Sequence, residues 1–142
     1  MKKGLVLMMA VLAVLFASCD MSGGANAWEG TWTTEATETV QGKTVTTKSV
    51  TVFSKDSFET KISMKMDGSD WVDSSAAKGT LVVEGDTMTT TTTHLKIAVN
   101  GKLPDDWAAM DPSMIKKVEG TWAVKNGKLL LTVNGKTQTF TK

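Results

Sequence analysis

Ser57-Phe58-Glu59-Thr60-Lys61-Ile62-Ser63-Met64-Lys65-Met66 alternates without a break. Phe58, Thr60, Ile62, Met64 and Met66 fall on one face, and Ser57, Glu59, Lys61, Ser63 and Lys65 on the other. Successive side chains of a strand point to opposite faces, so this is the pattern of a β-strand with one face dry and one wet. Turn residues bound it on both sides, Lys55-Asp56 before and Asp67-Gly68 after.

The pattern repeats outward in both directions. Further turns fall at Gln41-Gly42-Lys43, Glu84-Gly85-Asp86, Asn100-Gly101, Asn126-Gly127 and Asn134-Gly135, and Asn-Gly between β-branched or apolar runs is a strong hairpin signal. The chain holds 22 threonines and two prolines. Threonine's branched Cβ restricts χ1, which favours strands over helices. Eight strands are predicted, over 28–40, 44–54, 57–66, 78–84, 87–98, 118–125, 128–133 and 136–141. The first points Trp28, Gly30 and Trp32 inward, and the seventh puts Leu129, Leu131 and Val133 on one face. Thr occupies both faces of the second and fifth, so their phase stays open.

An internal phrase ties the strands together. Gly30-Thr31-Trp32, Gly79-Thr80-Leu81 and Gly120-Thr121-Trp122 each set a glycine two residues before a large apolar side chain on the same face. Such a glycine lets the strand bend where the large group fills the interior. The expected fold class is all-β: an antiparallel eight-stranded up-and-down meander closed into a barrel, which removes exposed edges. One stretch departs from alternation, from Leu103 to Lys117. Pro104 and Pro112 suit first helical positions and Asp111 suits a cap, so one or two short helical turns are predicted between strands five and six. Trp107, Met110, Met114 and Ile115 are expected to pack this link over a barrel mouth.

The N-terminal region reads differently. Lys2 and Lys3 precede an uncharged apolar run from Leu5 to Phe16, followed by Ala17, Ser18 and Cys19. A basic start, an apolar stretch of roughly 7–15 residues and small residues at the cut mark a secretory signal. The run is short of the about 20 residues that span a bilayer. Cys19 is the only cysteine, so no disulfide can form within the chain. Phe16-Ala17-Ser18-Cys19 resembles the lipobox of bacterial lipoproteins, with Phe in place of the usual Leu as in the relaxed lipoboxes of spirochaetes. That resemblance implies a diacylglyceryl thioether on Cys19, cleavage after Ser18 and acylation of the new amine, palmitate being a typical chain. Two or three acyl chains hold a protein on a membrane where one holds only marginally. Expected organisation is therefore a signal peptide over 1–18, a lipidated flexible tether over 19–27 and one barrel domain over 28–142.

Trp28-Glu29-Gly30-Thr31-Trp32, with its Gly-x-Trp on the first strand of a meander, resembles the lipocalins, and most of all the lipocalin-like (calycin-type) domains of small bacterial lipoproteins. The likeness covers most of residues 28–142. It implies a barrel that takes a small ligand in its interior. The sequence departs from the lipocalin pattern in having no Tyr and no Arg, hence neither the Thr-Asp-Tyr motif nor the Arg that packs on the first-strand Trp.

Composition narrows the function. Without 1–18 the chain carries fourteen lysines against fifteen acidic residues, and no Arg. Arg supplies most bidentate base and phosphate contacts, so nucleic acid is not an expected partner. His94 is the single histidine, with no Ser-His-Asp or Cys-His set around it, and a His/Cys metal site needs several such ligands. Asp105, Asp106 and Asp111 read as helix-start residues rather than a calcium site. No catalytic residue, metal or cofactor is expected, and the chain is not expected to be an enzyme. The remaining candidates are Trp32, Phe53, Phe58, Met64, Met66, Trp107 and Trp122. An eight-stranded interior is either filled by such side chains or just wide enough for one small ligand. The leading expectation is a lipid-anchored protein of the cell envelope whose barrel binds a small apolar or amphipathic ligand. The second is a solid-core surface or periplasmic protein that contacts host or envelope macromolecules.

Overall fold

The computed structural model describes residues 26–142. The signal segment, Cys19 and the first part of the tether lie outside the described residues. Nine strands are present: β1 (Gly30–Val40), β2 (Lys43–Phe53), β3 (Ser57–Met66), β4 (Val72–Glu84), β5 (Thr87–Ile97), β6 (Ala108–Ala109), β7 (Lys117–Lys125), β8 (Lys128–Val133) and β9 (Lys136–Thr141). Eight of them close an antiparallel up-and-down barrel in the order β4-β3-β2-β1-β9-β8-β7-β5, with β5 returning to β4 and the two-residue β6 added on β5. This is the meander expected from the turn spacing, and it is consistent with a lipocalin-like fold.

The turns explain the meander. Four hairpins close on two-residue loops, at Val40↔Lys43, Glu84↔Thr87, Lys125↔Lys128 and Val133↔Lys136. Both loop residues have positive φ in Gln41-Gly42, Asn126-Gly127 and Asn134-Gly135, and the first does in Gly85-Asp86. These are the loop geometries whose twist matches the strands they join.

The glycine phrase also does what its spacing suggests. Gly79 and Gly120 sit where neighbouring strands approach closely. A Cβ on Gly79 would run into the Thr91 carbonyl of β5, and one on Gly120 would stand 2.6 Å from the Thr132 carbonyl oxygen and 2.8 Å from Val133 Cγ2. The next inward residues, Leu81 and Trp122, fill the space so framed.

Two features differ from expectation. First, β4 begins at Val72, six residues before the predicted strand. Asp73-Ser74-Ser75-Ala76-Ala77 has little intrinsic strand preference, and pairing with β3 and β5 on both sides overrides it. Second, the link between β5 and β7 is not helical, apart from one 3-10 turn at Pro112–Met114. Asp111 does cap that turn, accepting from Ser113 N at 2.9 Å and Ser113 Oγ at 2.7 Å. Ahead of it Ala108 and Ala109 pair with Leu95 and His94, and Met110 N donates to Thr93 O. The link is extended because it satisfies backbone groups of β5 that a helix would leave unpaired.

The barrel is closed over only part of its height. β5 pairs β7 through Thr87–Thr91 alone, and β1 meets β9 at the single pair Thr33↔Thr141. β7, β8 and β9 have their upper ends at Lys117, Val133 and Lys136, β9 running up from Thr141 on the β1 side without further ladder pairs, while β1 to β5 continue higher as a tall single-layer wall. The core lies wholly in the closed part: Trp28, Trp32, Phe53, Phe58, Leu81, Met88, Leu129 and Phe140, with Val83, Trp122, Val124 and Leu131 packed against it. Trp32 Nε1 donates to Trp28 O at 2.8 Å, and Trp122 Nε1 to Gly85 O at 2.9 Å.

Candidate functional site

Strand registers phase every inward face, including those of β2 and β5. Residues directly opposite one another share a face, so Phe53 and Thr51 on β2 point inward with Gly30 and Trp32. On β5, Met88 and Thr90 point inward with Val83 and Leu81. The opposition of Phe53 and Phe58 across the β2–β3 hairpin was the signal in the sequence that could have phased β2.

The closed part is nearly solid. A void of about 70 Å³ lies beside Phe53, Met88, Thr90, Gly120 and Leu131. Pockets for drug-sized molecules run from about 300 Å³ upward. Trp32, Phe53 and Phe58 are buried, and Trp122 packs against them half-buried. These four candidates are brought together, as core.

Above the core lies a belt of hydroxyls on the inward face. Thr51 Oγ1 and Thr60 Oγ1 are 2.7 Å apart, Ser49 Oγ and Thr60 Oγ1 are 3.1 Å apart, and Thr60 Oγ1 also reaches Val50 O at 3.4 Å. Thr51 is buried, with its hydroxyl satisfied inside this belt. The belt forms the floor of a mouth whose back is the tall wall.

The inward face of that wall is open to solvent and mixes apolar side chains with Thr34, Thr47, Glu38 and Lys43. By register Met64, Met66, Val72, Val40 and Ile97 all face the same way as the core residues below them. Met66 is 53% exposed, Val72 50%, Val40 51% and Ile97 62%. Beside them a cleft of about 400 Å³ separates the end of β5 from the link, bounded by Leu95, Ile97, Pro104, Ala108, Met110 and Met114. Met64 and Met66 therefore belong to the mouth, apart from the buried aromatic candidates.

Trp107 is not at the mouth. Its ring lies on the outer face of the wall, with Lys78 Nζ 4.7 Å and Lys96 Nζ 4.8 Å from the ring centroid. Trp71, which pattern reading passed over, takes the matching place beside Lys48 Nζ at 4.2 Å and Lys65 Nζ at 5.5 Å. These two rings and the lysine stems cover the outer face, and Ala76 there is buried. Trp71 follows the β3–β4 turn, outside any alternating run, which is why periodicity missed it.

His94 points outward with Lys78, and its Nδ1 lies 2.8 Å from Thr93 Oγ1. Among the described residues no group of three or more His, Cys, Asp or Glu stands close enough to hold a metal ion. No family model matches this sequence, and no curated protein is similar to it.

Proposed function

We propose that the protein is a membrane-tethered binding module that takes the apolar part of a small amphipathic ligand at the open mouth of its barrel. One observation carries the reading: the inward face of the tall wall leaves Met64, Met66 and Val72 side by side in water, with Val40 and Ile97 further along the same face beyond Val45 and Ser75. Scattered exposed apolar residues are ordinary, but a contiguous set in a concavity marks a binding surface. Methionine suits such a place because its flexible thioether adapts to ligands of different shape. The hydroxyl floor would meet a polar group or water, and the outer face already has its cover in Trp71 and Trp107. The ligand would therefore lie on the wall above the core, not among Trp32, Phe53, Phe58 and Trp122.

The tether in this reading is lipid on Cys19, in the cell envelope. The chain enters the barrel through Trp28 at the closed end, away from the open mouth. Changing Cys19 to Ser is expected to leave the protein unprocessed or to release it from the membrane. Normal processing with retention on the membrane would defeat the lipid assignment.

Ligand binding is tested by titrating the protein with a fluorescent fatty acid and competing it off with unlabelled lipids and retinoids. Saturable binding that Met64→Glu/Met66→Glu abolishes, and Phe53→Leu leaves in place, is the expected result. Absence of saturable binding across the panel would sink the binding reading. It would leave a solid interaction protein, which the filled closed part favours.

A further inference from the structure

The hydroxyl belt at the floor of the mouth has a fixed donor order. Thr60 Oγ1 donates to Val50 O at 3.4 Å, and a hydroxyl has one hydrogen to give. Toward its two other partners Thr60 therefore offers lone pairs only. Ser49 Oγ, 3.1 Å away, and Thr51 Oγ1, 2.7 Å away, each donate to it. All three hydrogens are spent inside the belt, and what Ser49 and Thr51 retain for a further partner is acceptor capacity. Thr51 is buried and Ser49 half-buried, so Ser49 is the one a ligand reaches.

Thr34 stands opposite Ser49 on β1 and faces the same way. It is half-buried, and its hydroxyl has no hydrogen-bond partner among the described residues. Side chains opposed in this way lie about 5 Å apart at Cβ. One small polar group set between them can donate to Ser49 and accept from Thr34. Charge is absent at this level. Among inward-facing strand residues, Glu38 is four residues above Thr34, Lys43 six above Ser49 and Lys136 four above Phe140, each about 13 Å or more up its strand. Lys142 Nζ lies at the closed end, beside Gly30 and 4.8 Å from the Trp32 ring centroid.

We infer that the polar group of the ligand is an uncharged hydroxyl, so that the site takes a long-chain alcohol in preference to a fatty acid or a phosphate ester; this rests on the binding reading above. An alcohol completes the arrangement in both directions, donating to Ser49 and accepting from Thr34. A carboxylate brings no hydrogen for Ser49. Either anion sets negative charge against those lone pairs and meets no cation, and an unpaired charge withdrawn from water is costly. An ammonium has hydrogens to donate but no carboxylate facing it. The chain of the alcohol has a track. From Thr60 the inward face of β3 runs through Ile62 to Met64 and Met66, about 20 Å along the strand.

The test displaces the fluorescent fatty acid with three competitors of one chain length: dodecan-1-ol, its methyl ether and dodecanoate, at about pH 8, where a carboxylic acid is ionised. The ether is uncharged like the alcohol but has no hydrogen to donate, so it separates hydrogen bonding from hydrophobicity. The alcohol is expected to displace the probe at about tenfold lower concentration than either of the others. Ser49→Ala removes the acceptor and is expected to erase most of the difference between alcohol and ether. Thr34→Lys sets an ammonium beside Ser49 and is expected to turn the preference toward dodecanoate; Thr34→Val, which keeps the shape and removes the hydroxyl, replaces it should the lysine impair folding, and is expected to weaken the alcohol. An alcohol no better than its ether, a preference for dodecanoate in the parent, or an advantage that survives Ser49→Ala overturns the inference while probe binding leaves the binding reading standing. A probe that does not bind saturably overturns both.

Discussion

The two levels of this barrel are built from the same strands and obey different rules. In the closed part, inward positions carry Trp32, Phe53, Phe58, Leu81 and Leu129, and all are buried. Higher on the same inward faces, Thr34, Ala36, Thr47 and Ser49 give way to Met64, Met66 and Val72, which water reaches. Alternation is equally good at both levels. What differs is an opposite wall: β7, β8 and β9 exist below and stop, so only the lower faces have something to pack against. Burial, and with it stability, belongs to the lower level, and exposed apolar surface to the upper.

Truncation should expose this division most strongly. Trp32→Ala removes the 1%-exposed centre of the core, and the loss of transfer energy plus the cavity left behind should cost about 3–5 kcal/mol in urea unfolding. Met66→Ala, on an inward face of the same sheet, should fall within about 0.5 kcal/mol of the parent. Comparable losses would mean that the wall is packed in solution, and the two-level picture would be wrong.

A smaller effect is expected where the short strands press in. Gly120→Ala places a methyl 2.6 Å from a backbone carbonyl of β8, and β8 is hydrogen-bonded on both sides and cannot give way locally. Overpacking of this kind costs about 1–3 kcal/mol. Ala36→Val, on the upper inward face, adds bulk into solvent and should be nearly neutral by the same denaturation measurement.

Strand content was readable because each hairpin carries its own signal, an alternating run and a two-residue turn that needs positive φ. Barrel height was not readable, because it depends on stagger. Nothing in Lys136–Thr141 announces that β9 will touch β1 at one residue pair only. The candidate residues show the same limit. Trp32, Phe53, Phe58 and Trp122 were recognisable as inward, large and aromatic, which identifies a core. Met64 and Met66 had the same period and were indistinguishable from them, since exposure depends on the far wall. The link was misjudged because Pro104, Pro112 and Asp111 are local helix signals, whereas the free backbone of β5 is a non-local demand and outweighs them.

Two tryptophans of the closed part sharpen the picture further. Trp32 donates its indole N–H to Trp28 O, while Trp28 Nε1 is buried and has no acceptor among the described residues. A buried donor left unpaired carries a desolvation cost, so removing it costs less than removing a paired one. Trp28→Phe should therefore change stability by less than Trp32→Phe, the difference being about 1 kcal/mol in parallel denaturation curves. The reverse order would show that Trp28 Nε1 is bonded in solution.

The weakest expected effect tests whether the link belongs energetically to the lower level or to the wall whose edge it covers. Asp111 accepts from the side chain and then the backbone of Ser113, and these bonds to its ionised form hold its pKa below the ordinary carboxylate value. A carboxyl with a lowered folded pKa contributes stability above its unfolded pKa and loses that contribution as pH falls through the folded one. Because Asp111 is fully exposed and the turn it caps carries no buried residue, acidification should loosen the 3-10 turn alone. The expected signature is faster amide exchange at Ser113 and Met114 as pH falls through the Asp111 titration, with protection of Leu129 and Phe140 unchanged. Asp111→Asn, which retains an acceptor at the cap, should remove the pH dependence and preserve the turn. If core amides respond to Asp111 together with the turn, the link is coupled to the closed part, and the boundary between the two levels lies higher than the strand ends place it.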